Sequence, residues 1–125
     1  MKTAREKILI QGLIDWVDLG RIHWHVSQED RSASPLEVQQ KTLDTIHALV
    51  SDGLFELGDL SGEGGSFVAW DAPLDESMKR IYDLYVKHFD DNSLWIWECW
   101  LNLTAKGEHV AESVERKYAE ARSES

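Results

Sequence analysis

The chain is poor in cysteine, in positive charge and in long apolar runs. Its single cysteine, Cys99, excludes an internal disulfide and any zinc site built from several cysteines. No apolar stretch approaches the ~18 residues that a membrane-crossing helix needs. The first residues, Met-Lys-Thr-Ala-Arg-Glu-Lys, begin with positive charge. Gln11, Gly12 and Asp15 interrupt the apolar segment that follows, so it does not read as a secretory leader. A cytoplasmic protein without a membrane is the expectation. Internal repeats and low-complexity tracts are also missing.

What is present is acid and tryptophan. Thirteen Lys/Arg face 23 Asp/Glu, for a net charge of −10. The imbalance sits in the middle: residues 51–100 hold three basic and eleven acidic side chains, whereas residues 1–50 hold six and seven. Such a segment repels phosphate backbones and attracts basic partners. It also serves solubility alone. Six tryptophans stand at positions 16, 24, 70, 95, 97 and 100. With 125 residues and 42% apolar composition, the chain is sized for one domain with one core.

Helical spacing of Ile8, Leu9, Leu13 and Trp16 or Val17 predicts a first helix over 4–17. Asp18 is a helix cap, and Leu19, Ile22, His23 and Val26 fall on one face of a second helix. A strand would instead align Ile22, Trp24 and Val26, so the local signal is mixed. Ser34-Pro35-Leu36-Glu37 is a capping box with proline at the first helical position. It opens a third helix, expected to turn Leu36, Leu43, Ile46 and Val50 inward and to stop at Gly53. Strands follow at Leu54–Leu60 and Phe67–Trp70, joined by a turn at Ser61-Gly-Glu-Gly-Gly65. A helix over Leu74–Phe89 carries a stripe of Met78, Ile81, Tyr82, Tyr85 and Phe89. A third long strand is expected over Leu94–Leu103. Thr104 caps a last helix running to Ala121, with Val110, Val114 and Tyr118 on its buried face.

Three features resemble the winged-helix superfamily, in particular MarR- and PadR-like regulators. They are the three-helix start leading into a strand, the junction Leu49-Val-Ser-Asp-Gly-Leu-Phe-Glu56, and the step Leu101-Asn-Leu-Thr-Ala-Lys-Gly107. The resemblance implies a single α+β domain over 1–125, with a winged helix-turn-helix-like core. Residues 61–93 are inserted where that family has a short wing. It also implies a transcriptional regulator that binds DNA as a dimer. Its recognition helix would be Pro35–Ser51, with Arg21, Arg31, Gln39, Gln40 and Lys41 as DNA contacts. That helix offers one lysine beside Glu37 and Asp44, a thin complement for phosphates.

Chemical sites are hard to assemble from this chain. On a helix, His23 and His25 diverge, so they cannot share a metal ion; His23 is expected in the core and His25 outward, towards Glu29. His47 is expected in the core as well. Cys99 between acid and tryptophan reads as a neutral, buried thiol. The turn at 61–65 lacks the Gly-Lys-Ser/Thr of a phosphate loop. Neither a nucleophile–base pair nor a metal or cofactor site is expected, and the protein is read as a non-enzyme. On the expected strand Leu94–Leu103, Trp95, Trp97 and Cys99 share one face. That strand lies in the core or beneath a partner. The function expected is therefore an acidic protein-binding module, a monomer or homodimer. Asp59, Glu63, Trp70, Asp71, Asp75, Glu76, Trp95 and Trp97 would dock a basic partner. An immunity protein or antitoxin covering a nuclease is one form of it.

Overall fold

A computed structural model describes residues 2–61 and 65–124, with residues 122–124 as helix backbone. The elements are α1 (Ala4–Ile14), β1 (Val17–Asp18), α2 (Leu19–Glu29), α3 (Pro35–Ser51), β2 (Phe55–Leu60), β3 (Phe67–Ala69), α4 (Leu74–Tyr85), α5 (Asn92–Trp95), β4 (Trp100–Leu103) and α6 (Ala105–Glu124). The α+β expectation holds: helices pack with one antiparallel sheet of order β1-β4-β2-β3. The helix starts are local affairs. Thr3 and Glu6 form a capping box on α1, Ser34 and Glu37 another on α3, and Asp18 accepts the Arg21 N–H at α2.

Sheet register then sorts the strand residues into two faces. Val17, Leu101 and Leu57 form one row, beside the pair Leu103 and Phe55. All of these are buried and meet Ile8 and Leu9 of α1, Ile22 of α2, Ile46 and Leu49 of α3 and Ala111 of α6. The opposite face carries the row Asp18, Trp100, Gly58 and Ala69.

The two sequence junctions touch each other. Gly53 ends α3 with φ +76°, a conformation that glycine adopts freely, and so turns the chain into β2. Thr104, at the exit of β4, donates its N–H to Leu54 O and its hydroxyl to Gly53 O at 2.6 Å, and accepts the Gly107 N–H. Lys106 donates to Asp52 O. A Cβ on Gly107 would stand 2.1 Å from Leu54 O, so only glycine lets α6 approach this closely. Further along, Tyr118 donates to Glu6 across α6 and α1. The Thr3 backbone N–H, then Tyr118 and Lys117, hold the Glu6 carboxyl at about 2.

Several expectations are corrected. The first helix stops at Ile14, because Val17 and Asp18 pair with Leu101 and Trp100 as an edge strand. In α3 the inward stripe is Val38, Gln39, Thr42, Ile46 and Leu49, while Leu36 is 71% exposed. Thr42 fits the core because its hydroxyl donates to Val38 O one turn back. His47 is exposed, on the far side of that stripe. The α4 helix ends at Tyr85, leaving Phe89 in the turns that follow, and Tyr82 points outward. Most consequentially, the long tryptophan strand does not form. Asn92–Trp95 is a helical turn, and only Trp100–Leu103 is strand.

Candidate functional site: two tryptophans on the outer sheet face

Breaking that strand separates its tryptophans. Trp95 is 3% exposed and packs with His23, Tyr85 and Phe89, its indole N–H donating to Phe89 O at 3.0 Å. Its surface is spent in the core, which leaves none for a partner. Trp97 is 58% exposed. Its ring stacks on Trp100, with centroids 5.8 Å apart and 27° between planes, and Trp100 donates its indole N–H back to Trp97 O. The residues of this pair lie three apart across a turn, and β4 presents Trp100 on the outer face.

Around the pair the outer face is apolar at its centre and acidic at its rim. Gly58 pairs with Trp100, and a Cβ there would stand 2.3 Å from Val68 O and 2.6 Å from Phe67 Cζ. The missing side chain leaves room for the Phe67 ring over Gly58, the β2 partner of Trp100, and Leu60 pairs with Phe67. Asp18 sits opposite Trp100 on β1, Glu56 lies on the same face of β2 and accepts from Asn102 at 2.9 Å, and Glu98 is exposed between the two tryptophans. Reasoning from sequence missed Trp100 and these three acids as one group. Spacing of Trp97 and Trp100 at i and i+3 is the signal that would have joined them.

The remaining residues expected to meet a partner gather elsewhere. Asp59 is half-buried and pairs with Arg80 at 3.6 Å, and the Arg80 guanidinium lies 4.1 Å over the Trp70 ring. Trp70 also borders a small cavity of about 180 Å³ with Val50, Leu57, Leu74 and Ser77. Asp71, Asp75 and Glu76 are exposed, the last two in the first turn of α4, where carboxylates favour the helix dipole. Glu63 lies outside the described residues. Among the expected DNA contacts, Gln39 is buried, Gln40 donates to Asp44 and Arg31 donates to Gln28. Lys41 and Arg21 are exposed.

Both histidines of α2 turn towards protein. His23 is half-buried and shares a hydrogen bond with Tyr85; burial lowers its pKa and pushes the Tyr85 hydroxyl up to about 12. His25 is 8% exposed, not outward as expected, and Glu29 accepts from the Ala4 N–H instead. Neither His25 ring nitrogen has a hydrogen-bond partner, which costs about 1–3 kcal/mol for a buried polar group. Burial first, then the charges of Lys7 and Arg21, hold its pKa below the usual value. Cys99 is fully buried, and burial and the Asp59 charge push its thiol up, so it stands as the neutral thiol. Among the described residues no three His, Cys, Asp or Glu side chains come together as a metal site, and no helix is long and apolar enough to cross a membrane. No family model, curated protein or solved structure matches the chain.

Proposed function

We propose that the chain is a non-enzymatic, winged-helix-like module that docks a basic protein on the outer face of its sheet. The observation that carries this reading is the exposed Trp97–Trp100 stack with Asp18, Glu56 and Glu98 at its edge. An arginine or lysine from the partner lies over an open indole face, gaining cation–π attraction, while the rim carboxylates supply charge-assisted hydrogen bonds. The acidic side chains of residues 71–76 extend the same attraction over longer range and speed the encounter. Winged-helix character is supported by the mutual contact of the Gly53 and Thr104 junctions, the two places where the sequence carries the resemblance. An immunity protein or antitoxin covering a basic nuclease is the form of this function that fits the charge best.

DNA reading by α3 has weaker support. Its exposed side presents Glu37, Gln40, Lys41 and Asp44, one cation against two carboxylates. The test begins with capture of partners from the host extract in the presence of nuclease, followed by binding measurements on the purified partner. The proposal expects a basic protein whose affinity falls roughly 30-fold with Trp97→Ala, the scale of an interface hot spot. A partner that binds Trp97→Ala as tightly as the parent chain, or recovery of DNA that nuclease abolishes, overturns it.

A further inference from the structure

The sheet has two outer strands, and they are not equally guarded. β1 is two residues long, carries the charged Asp18 and runs straight into α2. β3 lacks such guards: Gly65-Ser-Phe-Val-Ala-Trp70 holds no charge and no proline, and Val68 is 54% exposed. The Ser61 N–H donates to Ser66 O and the Trp70 N–H to Leu57 O, and Val68 stands opposite Asp59. Bonds to β2 thus fall at Ser66, Val68 and Trp70, every second residue of an antiparallel ladder. The N–H and C=O groups of Phe67 and Ala69 therefore point away from the sheet, and among the described residues no strand lies beyond them.

We infer, resting on the docking reading above, that the basic partner adds an extended segment of its own to this edge, antiparallel to β3. The outward donors and acceptors of Phe67 and Ala69 repeat at strand spacing, and another strand meets all of them at once. The partner residue opposite Ala69 continues the row Asp18, Trp100, Gly58 and Ala69, so the new strand widens the outer face that carries the tryptophan pair. The residue opposite Val68 lies on the other side, where an apolar side chain covers the exposed valine. Charge decides whose strand it is. Asp71 follows the edge two residues after Ala69, and Asp75 and Glu76 open α4. All three are exposed, and none is in an ion pair among the described residues. A second copy offers the same uncharged edge, but it brings a net charge of −10 to a chain that already carries −10. A basic segment is instead drawn to those carboxylates.

The test uses the full chain, isotopically labelled, titrated with a short peptide of alternating lysine and valine and with the same peptide N-methylated on its backbone amides. Hydrogen exchange is read at the Phe67 and Ala69 amides, and the Trp97 and Trp100 indole resonances are followed beside them. The unmethylated peptide is expected to slow exchange at Phe67 and Ala69 saturably, by about tenfold or more, and to leave Val68, already bonded to β2, little changed. Methylation keeps charge and side chains but removes the donors, and should weaken binding by about tenfold or more. Ala69→Pro removes one outward donor at an edge position that tolerates proline and should weaken the peptide likewise. Unchanged helix amides verify the fold of that variant. Protection with the indoles silent supports the strand and overturns the tryptophan pair as the docking point. Indole movement without protection at Phe67 and Ala69, or equal binding of the methylated peptide, overturns strand addition and leaves the docking face standing. Silence at all of these groups overturns both. Protection of the same amides in a dimer of the free chain gives the edge to a second copy and overturns the inference as well.

Discussion

Two aromatic groups, built on tryptophans two to five residues apart in sequence, end in opposite circumstances. In one, Trp95 joins His23, Tyr85 and Phe89; ring centroids lie 4.8 to 5.7 Å apart and every ring closes on another. In the other, Trp97 and Trp100 close only on each other and leave an indole in solvent. Composition does not distinguish them. What does is the layer beyond. Trp95 has α2 and the end of α4 against it, and it ties α4 and the turns after it to α2. Trp97 stands in the turn between α5 and β4, and among the described residues no ring other than Trp100 packs on it. The first group is therefore read as a structural clasp, and the second is proposed as a docking surface.

Mutation should separate the two sharply. Trp95→Ala is expected to destabilise the protein by about 3–5 kcal/mol, the cost of a large cavity, in denaturant unfolding. A loss under about 1 kcal/mol would mean that the clasp is not part of the core. Next in size is Gly58→Ala, expected to cost about 1–3 kcal/mol because its Cβ meets backbone and the Phe67 ring. The same variant should blunt partner binding, since Phe67 must lift away from the outer face.

A pH effect sharpens the comparison from the clasp's side. Burial lowers the pKa of His23 from 6.5, and His25 is lowered in the same direction. Between the depressed values and 6.5 the unfolded chain binds more protons than the folded one, so stability rises with pH there. The stabilisation is complete above 6.5 and is lost as pH falls through that value towards the folded pKa values. Urea midpoints compared between about pH 7.5 and about pH 5.5 should show the drop, and His23→Phe should reduce it. An equal drop in that variant would assign the whole effect to other groups. Smallest of all should be the stability change of Trp97→Ala, within about 0.5 kcal/mol for an exposed side chain.

Much of this fold was legible from local chemistry. The Ser34–Glu37 box, Asp18, Gly53 and Thr104 each act within a turn or two, and each stands where the sequence places it. Facing directions were less legible, because they depend on which neighbour arrives. The α3 stripe runs through Gln39 and Thr42 rather than Leu36, since the core contacts of α2 and α4 fall there and the Thr42 hydroxyl is satisfied by its own helix. The two-residue strand β1 exists only because β4 pairs with it, and nothing within Val17-Asp18 announces that. The candidate site was half legible. Trp97 and the acid excess stood out, but the partnership with Trp100, Asp18 and Glu56 is made by register across three strands.

The central claim is most directly tested by following all indole and backbone resonances while the labelled chain is titrated with an arginine-rich peptide and, separately, with duplex DNA. The account predicts that the peptide moves the Trp97 and Trp100 indoles and the amides of Asp18, Glu56 and Glu98, in a manner that salt weakens, while DNA leaves the chain unchanged. Movement of the α3 amides by DNA, with Trp97 and Trp100 silent to the peptide, would contradict it.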